Sequence, residues 1–191
     1  MSVVWMLIRG SGLVAFGLLA GATIWGLLLS TKVLGGWAKA KPLTWTHEAL
    51  SLGAVLATAV HMVALYAHDY MEFDAAAIFV PGASQWRPLA VAWGVTAFYG
   101  LIVVTFSFYL RSWIGQGAWR ALHFASFGTF VGAAIHGITA GTDSTSPWVM
   151  ALYAGSLTAV VLLIVVRATA SAAPDRARPT RQIPVRPTAA D

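Results

Sequence analysis

Long apolar segments separated by short polar stretches dominate the chain as far as residue 166. A helix that crosses the hydrocarbon core of a bilayer needs about 20 predominantly apolar residues. The apolar segments reach that length, and they predict five membrane-spanning helices over residues 11–33, 45–66, 88–110, 118–140 and 147–166. The first segment is too long for the apolar region of a signal peptide and lacks a clear cleavage motif. We therefore expect an all-α integral membrane protein built as a five-helix bundle.

The composition supports this class of protein. Hydrophobic residues make up 58% of the 191 residues and charged residues only 10%, and the mean hydropathy is +0.72. Soluble domains carry about 25% charged residues, so this chain could not cover a water-facing surface. The chain has no cysteine, which excludes disulfides, zinc–thiolate sites, iron–sulfur clusters and a covalently attached c-type haem.

Basic residues are distributed unevenly between the two ends of the predicted bundle. If the C-terminus is cytoplasmic, only Arg9 and Arg87 of the 12 lysines and arginines fall outside. Cytoplasmic connections carry an excess of basic residues, so we expect the N-terminus outside and the C-terminus in the cytoplasm of a cell-membrane protein. The formal charge of +5 is then a consequence of topology, and we expect no nucleic-acid partner.

The sequence changes character after residue 168, where prolines alternate with arginines. Such a segment cannot bury enough apolar surface to fold. We expect a membrane domain over residues 1–168 and a disordered cytoplasmic tail over residues 169–191. Contact of the tail with anionic lipid headgroups is the alternative to a merely solvated tail.

Four histidines lie within two of the apolar segments: His47 and His61 in the second, and His123 and His136 in the fourth. Strongly polar groups are expensive inside a bilayer and usually mark function there. The helical rise places the two members of each segment about 20 Å apart, one toward each membrane surface. This arrangement predicts two b-type haems, each held by axial histidines alone.

The direction of the helices predicts which histidines share a haem. One predicted helix separates the two histidine-bearing helices along the chain, so these two run parallel. His47 is then level with His123 near the cytoplasmic side, and His61 is level with His136 nearer the outside. The crossed pairs would lie about 20 Å apart in depth and could not share one iron.

The azimuth of the ligands is less regular. Each residue turns the helix by about 100°, so after thirteen residues the His136 side chain leaves the helix on a different face from that of His123. We expect either a local distortion of this helix, which Gly128 and Gly132 would permit, or haem planes that are rotated relative to each other. Gly53 lies near the midpoint of the other pair, and ordinary helix contacts would explain these glycines equally well.

Other roles for the histidines are possible. The ligands of a zinc or di-iron site would cluster at one depth. A proton relay normally includes intramembrane carboxylates, and only Glu48, beside His47, comes close. Histidines that serve only in packing would belong to a non-redox membrane bundle, such as a transporter or an assembly factor.

The paired spacing resembles a known family. His-x13-His followed by His-x12-His on parallel helices, with the stretches 46–52, 119–123 and 136–143, is similar to the ferric reductase-like transmembrane domain. Ferric reductases, NADPH oxidases and the haem subunit of the periplasmic methionine sulfoxide reductase system share this domain. The resemblance covers roughly residues 12–166. It implies two haem b groups bound by His47, His61, His123 and His136, with electrons passing from the cytoplasmic haem to the outer one.

The chain departs from the larger family members, which usually have a sixth, N-terminal helix and a flavin- or nicotinamide-binding domain. No Gly-x-Gly-x-x-Gly turn is present. We therefore expect a separate electron donor, a flavoprotein or a quinol, and an extracytoplasmic acceptor such as ferric iron or a redox protein. Iron with two axial histidines has no open position, so we expect an oxidoreductase component that transfers electrons. The alternative is a quinol-linked membrane-anchor cytochrome b of a multisubunit oxidoreductase.

Two further groups of residues are candidates near the haems. Haem propionates are anionic and need cationic or amide partners. Arg120 precedes His123 by three residues, and Arg87 is the clearest candidate on the outer side apart from Arg9. A possible site for an acceptor metal ion above the outer haem comprises His68, Asp69, Glu72 and Asp74.

Overall fold

A computed structural model of the chain describes residues 2–31, 40–68 and 73–172. All the regular structure in these residues is helical: α1 (Val3–Thr31), α2 (Ala40–Tyr66), α3 (Ala75–Phe79), α4 (Pro88–Ala140) and α5 (Pro147–Ala172). Four of these helices, all but α3, are long enough and apolar enough to cross a membrane. The all-helical class is confirmed, and the apolar helices indicate a multi-pass membrane protein.

Helix α4 contains two of the spans that the sequence predicts. Its 53 residues would extend about 80 Å if they were straight, whereas the hydrocarbon core of a bilayer is about 30 Å thick. Gly115 interrupts the helical conformation with φ 82° and ψ 157°. A positive φ of this kind favours glycine, which has no β-carbon.

The two halves of α4 fold back on each other at Gly115. Near the open end of this hairpin, Gly132 packs against Trp93. Near the bend, the rings of Phe108 and Trp119 have centroids 6.5 Å apart. Residues 88–114 and 116–140, referred to as α4a and α4b, therefore run antiparallel and include the predicted spans 88–110 and 118–140.

The ends of several elements differ from those predicted. Helix α1 begins at Val3 and not at residue 11, and α5 continues to Ala172, beyond the predicted start of the tail. Residues 173–191 lie outside the described part of the chain. The short helix α3 was not predicted; it begins after Asp74, whose carboxylate accepts a hydrogen bond of 2.7 Å from the backbone N–H of Ala77.

Aromatic side chains join α1, α4b and α5 into one core. The ring of Phe16 lies 5.8 Å from that of Phe130 and 4.4 Å from that of Tyr153, measured between centroids. Phe130 is only 1% exposed. On its other side α1 packs along α2, where Gly53 contacts Leu18. Helix α1 is thus held between α2 and α5 and can present its backbone to the histidines of α2.

Arginines lie at both ends of the bundle. At one end, the Arg9 guanidinium forms a two-pronged ion pair with the carboxylate of Asp143, in the connection between α4 and α5. Arg87 lies at that end too, since it is the N-cap residue of α4a and its guanidinium donates to the carbonyl of Thr139 near the end of α4b. At the other end, Arg167 of α5 donates a hydrogen bond of 3.1 Å to the Ser30 hydroxyl. The two arginines predicted to lie outside therefore share one end of the bundle.

Candidate functional site

The four histidines meet as two pairs between α2 and α4b. The ring centroids of His47 and His123 are 6.1 Å apart, and the ring planes make an angle of 65°. Those of His61 and His136 are 6.4 Å apart at an angle of 76°. These are the pairs that the parallel direction of the two helices predicts. Along α2 the two pairs are separated by about 20 Å.

Both separations suit a metal ion held between two imidazoles. With metal–nitrogen distances of about 2.0–2.1 Å and about 1.1 Å from nitrogen to ring centre, two opposed ligands have ring centres about 6.3 Å apart. Two imidazoles joined by a direct hydrogen bond of about 2.9 Å would have ring centres only about 5.1 Å apart. The observed 6.1 and 6.4 Å are closer to the first separation than to the second.

Backbone carbonyls of neighbouring helices fix three of the four rings. Nδ1 of His47 lies 3.0 Å from the carbonyl oxygen of Ala22. Nδ1 of His61 lies 2.8 Å from that of Ile8, and Nδ1 of His136 lies 2.8 Å from that of Ala90. Because a carbonyl oxygen can only accept, Nδ1 carries the proton and Nε2 of the neutral ring keeps its lone pair. Histidines that bind metals usually donate their other N–H in this way, which orients the ring and raises its basicity.

The fourth ring, that of His123, has a different environment. It stacks on the indole of Trp119 one turn earlier in α4b, with centroids 5.3 Å apart and an interplanar angle of 30°. The Nε1–H of Trp119 is buried and has no hydrogen-bond partner among the described residues. Leaving such a donor unpaired costs about 1–3 kcal/mol. An acceptor on a bound group beside His123 would satisfy it.

Three glycines that the sequence analysis missed contact the histidine rings. A β-carbon at Gly12 would lie 3.1 Å from the ring of His61, and one at Gly26 would lie 3.1 Å from the ring of His47. A β-carbon at Gly94 would lie only 2.6 Å from Nδ1 of His136. The signal was present in the sequence: Gly12 and Gly26 have the same 14-residue spacing as His47 and His61.

The glycines singled out from the sequence have other surroundings. Gly53 contacts Leu18, and Gly132 packs against α4a, so both lie at ordinary helix contacts. A β-carbon at Gly128 would have no neighbour within 4 Å. Gly115 is the one non-helical residue within α4, so the distortion considered between His123 and His136 is absent.

A cavity of about 210 Å³ adjoins the pair of His61 and His136. Its lining is mainly apolar and includes Trp5, Trp86 and Phe98, together with the charged residues Arg9 and Asp143. Cofactor pockets typically combine such apolar and aromatic walls with a few polar groups. The bundle therefore has room for an apolar group beside this pair.

The predicted propionate partners are exposed. Arg120 lies at the surface of α4b, one turn before His123. Arg87 lies over the Trp86 ring at 5.0 Å, and its guanidinium donates to the carbonyl of Thr139. Of the two arginines predicted to lie outside, Arg9 lines the cavity and Arg87 does not.

The proposed acceptor-metal run is only partly described. Helix α2 ends at Tyr66, so His68 does not continue the helical face of His61. Its ring lies 5.7 Å from that of Trp5. Asp69 and Glu72 lie outside the described residues, and Asp74 caps α3. Among the residues that the structure describes, no three histidines or carboxylates come together as a metal site.

We compared the chain with models of known protein families, with curated proteins and with solved structures. None of them matches it. Inference about function therefore depends on the residues and their geometry. They place two pairs of histidines, about 20 Å apart in depth, inside a bundle of membrane-length helices.

Proposed function

We propose that the chain is a di-haem b-type membrane cytochrome similar to the ferric reductase-like transmembrane domain. The observation that carries this proposal is the meeting of four histidines of membrane-length helices in two pairs, with ring separations that would accommodate a metal ion between the two imidazoles. Three rings that offer Nε2 as a neutral ligand support it. These observations support one haem between the histidines of each pair.

The surroundings of each pair supply partners for haem carboxylates. The Trp119 indole N–H is unpaired beside His123, and Arg120 follows it in the chain. Arg9 lines the cavity of the pair formed by His61 and His136. Charge-assisted hydrogen bonds of arginine to carboxylates are among the strongest in proteins. We assign Trp119 and Arg120 to the inner haem. For the outer haem we assign Arg9, whose guanidinium would then be shared with Asp143, and the exposed Arg87 is a further candidate.

The proposed activity is electron transfer across the membrane. Haem supplies reversible one-electron chemistry when it is bound. Two histidines, one from α2 and one from α4b, would hold each haem, which would leave no open position on the iron for substrates or oxygen. The donor is then a flavoprotein or a quinol on the cytoplasmic side. The acceptor is ferric iron or a redox protein on the extracytoplasmic side.

The haem content tests the proposal directly. Because each pair of histidines would hold one haem, purified protein should bind two haems per chain. The measurements are a dithionite-reduced spectrum of b type and a pyridine haemochrome assay. A variant with alanine at all four positions serves as the control and should bind none. One haem per wild-type chain, or none, would contradict the proposal.

The topology is the second part of the proposal. We assign five spans, α1, α2, α4a, α4b and α5, with the N-terminus outside, because Arg9 and Arg87 share the end opposite Arg167. A reporter fused after Asp191 should be active only in the cytoplasm. The same reporter inserted near Ala83, between α3 and α4, should be active only outside. Reversed activities would contradict this topology and, with it, the assignment of each haem to its side of the membrane.

A further inference from the structure

We infer that Gly12, Gly26 and Gly94 are positioning residues for three of the haem ligands. Because each glycine lacks a side chain, it leaves a backbone carbonyl accessible, and this carbonyl orients one imidazole. The inference rests on the proposed function, because the histidines are ligands only if haem binds. It goes beyond that function by assigning the ligand geometry to residues on two helices, α1 and α4a, that carry no ligand themselves.

The three contacts share one local geometry. In each, the carbonyl that meets the imidazole belongs to the residue four positions before the glycine: Ile8 before Gly12, Ala22 before Gly26 and Ala90 before Gly94. In an α-helix this carbonyl already accepts the N–H of that same glycine. A carbonyl oxygen has a second lone pair, which the imidazole N–H can reach only from the side of the helix.

The absence of a β-carbon makes this approach possible. Side chains of a helix tilt toward its N-terminus, so a side chain at the glycine position would cover the carbonyl one turn earlier. A β-carbon at Gly94 would lie 2.6 Å from Nδ1 and 2.8 Å from Cε1 and Cγ of His136. Real β-carbons essentially never approach other atoms within 3.0 Å. The ring would have to leave the Ala90 carbonyl.

The clash is milder at the two glycines of α1. At Gly12 the added carbon would be 3.1 Å from Cε1 and Nδ1 of His61. At Gly26 it would be 3.1 Å from Cε1 and 3.5 Å from Nδ1 of His47. These rings could shift by a few tenths of an ångström, which lengthens the bond to the carbonyl without expelling the ring. We therefore expect loss of a ligand from Gly94→Ala and reorientation of a ligand from the other two substitutions.

His123 provides an internal comparison. Among the described residues, no backbone carbonyl accepts a hydrogen bond from its ring, which stacks on Trp119. The outer pair thus has two rings oriented by carbonyls, whereas the inner pair has one. Substitutions at Gly12 and Gly94 should therefore act on the outer haem, and substitution at Gly26 should act on the inner haem alone.

The experiment compares Gly12→Ala, Gly26→Ala and Gly94→Ala with two matched controls. Gly17→Ala in α1 and Gly128→Ala in α4b add a β-carbon that meets nothing within 4 Å. The measurements are haem content, low-temperature electron paramagnetic resonance of the ferric protein and a redox titration. Both controls should retain two haems with wild-type signals. Gly94→Ala should fall to about one haem per chain and lose the outer component.

The milder variants test the orienting role itself. A carbonyl bond at Nδ1 makes the ligand more basic and favours ferric iron, so its weakening should raise the potential. Gly12→Ala should shift the paramagnetic resonance signal of the outer haem and raise its midpoint potential, without changing the inner haem. Gly26→Ala should have the same two effects on the inner haem and leave the outer haem unchanged. A purely structural role for the glycines would lower stability and move neither potential.

Two outcomes separate the inference from the function on which it depends. A wild-type protein without haem would overturn the proposed function. A wild-type protein with two haems, whose three glycine variants match the controls in content, resonance and potential, would overturn only the positioning role. If Gly94→Ala does not fold, Gly12→Ala reports on the same outer haem, and an unchanged outer component there would overturn the inference for that haem.

Discussion

Replacing His61 by alanine should remove the outer haem and leave the inner haem in place, and replacing His136 should have the same effect. The ring centroids are 6.4 Å apart, so each substitution would remove one of the two histidines that we propose hold the same haem. Haem content should fall from two to about one per chain. The double variant should add little to either single change, because residues that share one site are not additive. Spectra and haem assays of the three variants measure this.

His68→Ala is the matched control for this prediction. His68 is also a histidine near the outer end of α2, but its ring lies beside Trp5 and outside both pairs. Its replacement should leave both haems bound and at most slow transfer to an external acceptor. The pairing would be wrong if His61→Ala and His136→Ala removed different spectral components. It would also be wrong if His68→Ala removed a haem while His61→Ala did not.

Phe130→Ala should cause a large loss of stability and should loosen the outer site. The Phe130 ring is 1% exposed and packs on Phe16 of α1, the helix that supplies the carbonyl for His61. In soluble cores this substitution costs about 3–5 kcal/mol. Lipid is as apolar as the side chain, so in a membrane mainly the packing part is lost, and we expect about 2 kcal/mol. Thermal unfolding in detergent micelles measures the change.

Phe124→Ala on the same helix is the control. Its side chain is 61% exposed and lies outside the buried cluster formed by α1, α4b and α5. The same chemical change there should shift the unfolding midpoint far less than Phe130→Ala. Equal shifts from the two variants would show that the aromatic cluster does not hold the three helices together.

Much of the fold follows from the sequence because a bilayer leaves a chain few choices. Backbone groups in hydrocarbon must be satisfied internally, so apolar segments of this length form helices. The segment that contains His47 and His61 became α2, with the predicted end at Tyr66. The ends at α1 and α5 were less accurate, since a helix continues past its apolar stretch wherever the next residues can also form one.

The pairing of the histidines could be predicted from the sequence, but the backbone carbonyls that orient their rings could not. Their pairing depends only on helix direction and on a rise of about 1.5 Å per residue, both of which the sequence provides. The carbonyls that bind Nδ1 belong to Ile8, Ala22 and Ala90, and a backbone carbonyl has no signature in a sequence. Gly12 and Gly26 have the same spacing as His47 and His61, but this match can be interpreted only when α1 is known to pack against α2.

The helical class, the membrane-length segments and the spacing of the histidines along each helix could be predicted from the sequence, because they depend on local composition and on distance along one helix. The structure was needed to show that α4 folds back at Gly115 and which helix contacts each histidine ring. It was also needed to show that Arg9, and not Arg87, lines the cavity beside His61 and His136. Those features depend on the azimuth and packing of neighbouring helices, which are set by contacts between residues distant in the chain.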